Sequence, residues 1–191
     1  GTTLWGPLQP ASEDTEDRLL LNDGNGYFTD STLLSLTPAM IESKFCNSVV
    51  LADVNQDGAV DVIKQLTYQS PERLSIAYNN PQSPGVFALH TTGLAPAPYF
   101  VNAGDLNNDG RLDLAVTSNA NDFVLFNMGN KPAGDVSWSA LKNVEFLVGG
   151  EPVGYLGLTY SANNLIVDLD GDGWDELLIA DVDVEIPAYA P

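Results

Sequence analysis

Three short segments of the sequence place carboxylates and amides at alternate positions and then turn at a glycine. They begin at Asp53, Asp105 and Asp168 and read DVNQDGAVD, DLNNDGRLD and DLDGDGWDE. Hard cations such as Ca²⁺ take several oxygen ligands from a short, tightly turned loop, and this spacing supplies them. Carboxylates grouped without an ion would repel one another in a medium less polar than water. The three segments therefore predict about three calcium sites.

Each loop offers ligands at the same five places: the first, third, fifth and ninth side chains and the seventh carbonyl. In chain order the predicted ligands are Asp53, Asn55, Asp57, the Ala59 carbonyl and Asp61; Asp105, Asn107, Asp109, the Arg111 carbonyl and Asp113; and Asp168, Asp170, Asp172, the Trp174 carbonyl and Glu176. A turn rich in Asp and Asn but without metal is the alternative for one such loop. Three copies in register favour the metal.

The EF-hand is the other calcium motif with a similar spacing of acids. An EF-hand loop needs a bidentate glutamate at its twelfth position and a helix on each side. The twelfth positions here are Lys64, Val116 and Ile179, and the residues that follow each loop are strand formers. The sequence therefore excludes the EF-hand and the related dockerin motif and predicts that each loop joins two strands.

The elements that carry the loops recur along the chain at intervals of roughly 50 to 60 residues, which is typical of propeller blades or solenoids. A second repeated element is an apolar run that ends in asparagine, at Asn22, Asn79 and Asn127. The runs are short, rich in Val, Ile, Leu and Phe, and separated by turn clusters, so they predict strands and no helix. Four strands per repeat predict the blade of a β-propeller, with a β-solenoid as the alternative.

The segments DVNQDGAVDVI, DLNNDGRLDLAV and DLDGDGWDELLIA resemble the calcium-binding loops of the FG-GAP/VCBS repeats of integrin-α-like proteins. RLLLNDGNGYFTD is similar to the strand that follows in such a blade, and the resemblance covers roughly residues 17 to 183. It implies an all-β propeller, typically of about seven blades, in which each calcium loop connects the first two strands of a blade.

The spacing between each loop and the following asparagine predicts the boundaries of the repeats. We expect a half-blade at about 1–40, whole blades at about 43–93 and 95–150, and a second half-blade at about 153–190. About three blades are too few for a ring of four to eight. We therefore expect a homodimer in which residues 155–186 of one copy complete residues 17–37 of another, giving a six-bladed ring. A fragment of a longer single-chain propeller is the alternative.

The charge balance narrows the choice of partners. The chain has 7 Lys and Arg against 26 Asp and Glu, a net charge of −19, so it repels nucleic acid and anionic lipid. No apolar run approaches the roughly 18 residues of a membrane span. Cys46 is the one cysteine and can form no intrachain disulfide; we expect a buried thiol there.

Residues for catalysis are scarce. His90 is the single histidine and lies in an apparent outer strand, and most of the acids belong to the loops, so we expect that the protein is not an enzyme. We expect the acidic stretch 13–17 to be a solvated loop, with docking of a basic partner as the alternative. The aromatic residues are expected to pack within and between blades, with a sugar-stacking surface as the alternative. These residues are Trp5, Trp138, Trp174, Tyr27, Tyr99, Tyr155 and Tyr160.

Two functions fit these features. The first is an extracellular or cell-surface calcium-binding scaffold that holds a protein or glycan, as in adhesion. The second is an accessory repeat region of a larger secreted enzyme such as a polysaccharide lyase or lipase.

Overall fold

The structure is a computed structural model that describes residues 17–41, 48–66, 73–92, 94, 98–118, 122–144, 147–148, 151–152 and 160–182. Most of its regular structure is antiparallel strand, in agreement with the predicted all-β class. The strands are β1 (Leu20–Asn22), β2 (Phe28–Asp30), β3 (Val49–Ala52), β4 (Asp61–Leu66), β5 (Arg73–Asn80), β6 (Ser83–Thr92), β7 (Pro98–Gly104), β8 (Asp113–Ser118), β9 (Phe123–Leu125), β10 (Asn127–Asn130), β11 (Val136–Trp138), β12 (Lys142–Asn143), β13 (Leu147–Val148), β14 (Glu151–Pro152), β15 (Tyr160–Val167) and β16 (Glu176–Val182).

Two single-turn helices follow β2, and the expectation that the chain has no helix was wrong for this segment. They are α1 (Thr32–Ser35) and α2 (Pro38–Ile41). Asp30 Oδ1 accepts the backbone N–H of Thr32 at 2.9 Å, and Pro38 has the fixed backbone angle suited to a helix start. One turn is too short to show a helical period in the sequence. Among the described residues, no helix has the length and apolarity needed to cross a membrane.

The grouping of the strands into sheets follows the repeat seen in the sequence. Strands β3-β4-β5-β6 form one four-stranded sheet and β7-β8-β9-β12 form another, while β1-β2 and β15-β16 are two-stranded. Leu51 lies opposite Val62 across the first loop, and Ala103 lies opposite Leu114 across the second. Each acidic loop therefore connects the first two strands of its sheet.

The main core lies between the two four-stranded sheets. Its buried members are Val54, Ile63, Leu74, Ile76, Tyr78, Val101, Leu114, Val116, Phe123, Leu125 and Val136. In β3, Val50 and Ala52 pack against this core, while Val49 and Leu51 on the opposite face are 58% and 66% exposed. This alternation is the period of two expected of a strand with one covered face.

The outer faces of this pair are covered on one side by residues around the β1-β2 hairpin and the two short helices, and on the other by the β15-β16 sheet. On one side Met40, Ala77 and Phe87 form a second cluster with Leu19 and Leu36. On the other side β15 packs on β7, where a Cβ added to Gly104 would lie 2.2 Å from Ile166 Cγ2. Four layers thus follow one another in chain order: the segment with the β1-β2 hairpin, the two four-stranded sheets and the β15-β16 sheet. This arrangement is consistent with a β-propeller.

Candidate metal centres

The three acidic loops share one hydrogen-bond framework around their first residue. Asp53 Oδ1 accepts the backbone N–H of Asp57 at 3.1 Å, and Oδ2 accepts that of Gly58 at 2.9 Å. In the second loop the same bonds run to Asp105 from Asp109 and Gly110. In the third loop Gly173 donates to Asp168 Oδ2 in the same way, but the bond to Oδ1 comes from the fourth residue, Gly171, and not from the fifth. The chain therefore wraps around the first carboxylate of each loop.

The third and fifth side chains also turn back onto the loop. Asn55 Oδ1 accepts the N–H of Asp57 at 3.2 Å, and Asp57 Oδ1 accepts the N–H of Ala59 at 2.9 Å. The same bonds recur in the second loop, at Asn107, Asp109 and Arg111, and in the third, at Asp170, Asp172 and Trp174. Three of the predicted ligand side chains in every loop are thus held by backbone N–H groups of that loop.

Left-handed backbone conformations explain the glycines. The sixth residues, Gly58, Gly110 and Gly173, have φ of 89°, 81° and 90°. A Cβ on any of them would meet nothing within 4 Å, so the need for glycine there is conformational and not steric.

The ninth residue has a second role that the sequence did not reveal. Asp61 Oδ2 accepts the N–H of Val54 at 3.1 Å inside the loop, while Oδ1 accepts the N–H of Asn79 at 2.9 Å. In the second loop Asp113 bonds Leu106 and Asn127 in the same way, at 3.1 and 2.8 Å. The ninth acid therefore ties its loop to the asparagine at the end of the apolar run. The repeated asparagine was the available signal for this contact.

Burial sets the electrostatics of the ninth acid. Asp61 and Asp113 are 0% exposed. Burial raises the pKa of Asp61 to about 6, against the lowering effect of the Asn79 and Val54 N–H groups, and the nearby Asp57 and Asp53 charges raise it further. Burial likewise raises the pKa of Asp113 above its ordinary value. A cation in the loop would favour the charged form of both carboxylates.

The third loop brings its carboxylates closest together. Oxygen atoms of Asp168, Asp170 and Glu176 lie within 4.8 Å of one another, the one such group of three acids in the described residues. The first two loops have asparagine at the third position, so fewer carboxylates can meet. In the first, Asn55 Nδ2 donates to Asp57 Oδ2 at 3.0 Å; in the second, the Arg111 guanidinium pairs with Asp109.

The donor chemistry of the loops fits a hard cation. The groups are carboxylate, amide and backbone carbonyl oxygens, without histidine or cysteine, which is the set that Ca²⁺ takes and softer metals do not favour. Of the predicted ligands, the first, third and fifth side chains accept bonds from backbone N–H groups of their own loop in all three loops. The ninth acid lies at the loop base and adds its carboxylate to the group in the third loop.

Neighbouring loops are also joined to each other. Gln56 Nε2 donates to the Gly110 carbonyl at 2.5 Å, which links the first loop to the second. The N–H of Asp105 donates to Asp175 Oδ2 at 3.1 Å, which links the second loop to the third. The loops therefore form a row along one edge of the described structure, a relationship that loop spacing alone does not predict.

The remaining predicted residues are spread over the structure. His90 lies in the edge strand β6 opposite Ala77, as expected for an outer strand. Trp138 packs against the main core, whereas Trp174 and Tyr27 are 53% and 76% exposed. Tyr99 is half-buried, and Tyr160 begins β15.

Some predictions fall on the rest of the chain. Trp5, Cys46, Tyr155 and residues 13–16 lie outside the described residues. Asp17, at the end of the acidic stretch, forms an ion pair with Lys64.

The row of repeated loops on antiparallel sheets defines a repeat protein whose loops sit between the first two strands of each unit. The family model of the FG-GAP-like repeat matches residues 9–63, and that of the FG-GAP repeat matches residues 97–137. Together the two matches span about half of the chain and include the first two acidic loops. The chain therefore belongs to the FG-GAP repeat family. No curated protein matches the chain significantly.

Proposed function

We propose that this chain is a calcium-binding propeller scaffold whose function is to hold a ligand outside the cell or at its surface. The observation that carries the proposal is the shared loop framework, in which three acidic loops present converging oxygen donors. The carboxylate group of Asp168, Asp170 and Glu176 is the densest example. A bound dication would offset the mutual repulsion of these acids and part of the net charge of −19.

The residues that would hold calcium are the fifteen loop positions predicted from the sequence. The first, third and fifth side chains supply the concave side of each loop, the seventh carbonyl closes it, and the ninth acid links it to the sheet. Calcium would stiffen the loops, which in turn hold neighbouring sheets in place. Calcium affinities of extracellular modules lie near 10⁻⁴ to 10⁻³ M, so millimolar calcium would stabilise each loop by about 0.4 to 1.4 kcal/mol.

We infer that the scaffold acts by binding a protein or glycan and not by catalysis. Apolar side chains on the third loop support a ligand surface, because Leu169 and Trp174 are 74% and 53% exposed beside the acids. Exposed aromatic rings suit contact with sugars or with protein side chains. The alternative, that the chain is an accessory region of a larger secreted enzyme, stays a prediction.

Calorimetric titration of calcium into the chelator-treated chain tests the proposal. We expect about three sites in the weak range given above. Asp109→Ala should lower the stoichiometry by one, whereas Asp135→Ala, which removes an acid outside the loops, should leave it unchanged. If neither calcium nor chelator changes the melting temperature, the metal assignment is wrong. Glycan-array binding with and without calcium then tests the ligand class.

A further inference from the structure

The fifth aspartate of each acidic loop has one carboxylate oxygen that the loop itself fixes. These residues are Asp57, Asp109 and Asp172, and in each the Oδ1 atom accepts the backbone N–H of the seventh residue, at 2.9, 3.0 and 2.9 Å. In the first loop the other oxygen, Oδ2, lies beside the third predicted ligand, because Asn55 Nδ2 donates to it at 3.0 Å. Oδ2 is therefore the oxygen of the fifth aspartate that is left for an ion.

In the second loop a positively charged side chain already bonds this oxygen. Arg111 Nη2 donates to Asp109 Oδ2 at 2.5 Å, and Arg111 Nε donates to the Asn127 carbonyl at 2.8 Å. The Arg111 and Asp109 side chains are only 35% and 27% exposed. A planar guanidinium that donates in two directions is held in one place, unlike the end of a free surface side chain.

The other two loops have no charge at the same position. The seventh residue is Ala59 in the first loop and Trp174 in the third. The bond to Oδ2 in the first loop comes from the neutral Asn55 amide, and within the described part of the chain Asp172 uses only Oδ1. The predicted ligands include three carboxylates in the first loop, three in the second and four in the third. Since Arg111 offsets one of its three, the second loop attracts a dication least.

The second loop is also the one that bonds both of its neighbours. The Gly110 carbonyl accepts a bond from Gln56, and the N–H of Asp105 donates to Asp175. Acids grouped in a loop repel one another unless a positive charge lies among them. Arg111 supplies that charge to the middle of the row when no ion is bound.

We propose that Arg111 is a built-in counter-cation of the second loop, which competes with calcium for Asp109 and makes this loop the last of the three to fill. The inference rests on the calcium binding proposed above. A dication on Asp109 Oδ2 repels a guanidinium bonded to the same oxygen, so calcium has to displace Arg111 or bind against its charge. Arg111 thus keeps the second loop in shape at low calcium and raises the calcium concentration at which the loop fills.

An NMR titration on the full chain follows the three loops separately. The N–H groups of Gly58, Gly110 and Gly173 each donate to the first carboxylate of their own loop, at 2.9, 2.8 and 3.0 Å. Calcium added to the isotope-labelled, chelator-treated chain should shift all three amide signals, and the calcium concentration at half of the shift should be highest for Gly110. In Arg111→Gln this midpoint for Gly110 should fall by about threefold to tenfold.

Opposite effects on stability and on affinity separate this role from a merely structural one. In chelator, Arg111→Gln should melt at a lower temperature than the parent chain, because the acids lose their counter-ion. Added calcium should nevertheless raise its melting temperature by more, since the second loop binds the ion more tightly. A residue that only supported the fold would lower both stability and affinity when replaced.

Arg18→Gln is the matched control for the loss of one positive charge. Arg18 pairs with Asp30, outside the three loops. The substitution should leave the Gly110 midpoint as it is in the parent chain. An equal fall in the Gly110 midpoint for Arg18→Gln and Arg111→Gln would mean that net charge alone acts, which contradicts the proposal.

Trp174→Arg tests the same principle in the third loop and decides the question if Arg111→Gln does not fold. Trp174 is 53% exposed, so its replacement leaves the core intact. A guanidinium at this seventh position should raise the Gly173 midpoint by about threefold relative to the neutral Trp174→Gln. Equal midpoints in these two variants would overturn the proposal.

The titration also distinguishes the failure of this inference from the failure of the proposed function. If calcium shifts none of the three glycine signals, the chain binds no calcium and both are wrong. If the signals shift but the Gly110 midpoint in Arg111→Gln is unchanged or higher, calcium binding stands and Arg111 does not compete with the ion.

Discussion

The backbone N–H of Asn127 donates to Asp113 Oδ1 at 2.8 Å, and both residues are almost fully buried. The Asn127 side chain also donates to the carbonyls of Val54 and Leu112, at 2.8 and 3.2 Å. One asparagine thus joins its own sheet, its own loop and the loop of the preceding sheet. Buried polar groups with several bonds of this kind are costly to remove.

Asn127→Ala should therefore destabilise the protein by about 1 to 3 kcal/mol, because it leaves buried carbonyls without their donor. Chemical denaturation monitored by tryptophan fluorescence measures the change. Asn143→Ala, at an exposed position in β12, is the matched control and should shift the free energy of unfolding by no more than about 0.5 kcal/mol. Equal effects of the two substitutions would contradict the role of Asn127.

Gly104→Ala tests the close contact between β7 and β15. The added Cβ would meet Ile166 Cγ2 at 2.2 Å, so we expect a loss of about 1 to 3 kcal/mol from overpacking. Truncation of the facing side chain in Gly104→Ala/Ile166→Ala should recover part of that loss, which a double-mutant cycle would reveal as a coupling energy. Strict additivity of the two single changes would mean that the residues do not touch.

Gly110→Ala tests the left-handed turn of the second loop. Its φ of 81° strains any residue with a Cβ, and we expect a loss of about 1 kcal/mol together with weaker calcium binding. Asn108→Gly is the opposite change at a neighbouring left-handed position, with φ of 56°, and should be neutral or slightly stabilising. The melting temperatures of the Gly110→Ala and Asn108→Gly variants, measured with and without calcium, check both expectations.

In the metal-free protein, Asp61 should make the free energy of unfolding depend on pH in a characteristic way. Burial raises its pKa in the folded state from the ordinary 3.8 to about 6, so the folded chain binds more protons than the unfolded chain between these values. The contribution of Asp61 to stability therefore decreases as pH rises through this window and is flat above it. In the Asp61→Asn variant this pH-dependent contribution to the free energy of unfolding should vanish.

Calcium should change this dependence, since the ion favours the charged carboxylate. Calcium affinity at the first loop should fall as pH decreases from 7 to 5, because protons compete for Asp61. Unfolding curves in chelator and calcium titrations over this pH range measure the two effects separately. An affinity that does not vary with pH would exclude Asp61 as a ligand.

The parts of the structure that the sequence predicted are those set by local spacing. The glycine turn of each loop is set by neighbouring residues, as at Gly58, and the strand on each side follows from the alternation of apolar residues. The contacts that were missed cross from one sheet to another. Gln65, for example, is 0% exposed and donates to the Tyr99 carbonyl at 2.5 Å, although its position in β4 gave no sign of burial. Spacing along the chain carries no information on which neighbouring sheet a side chain will meet.

Through the hydrogen bonds from Gln56 to Gly110 and from Asp105 to Asp175, each loop restrains the motion of its neighbour. A segment held by its neighbour has less freedom left to lose when something binds to it. Stiffening one loop therefore lowers the entropic cost of stiffening the next, and the coupling acts equally in both directions. Occupancy along the row should rise more steeply with ion concentration than three separate loops would allow.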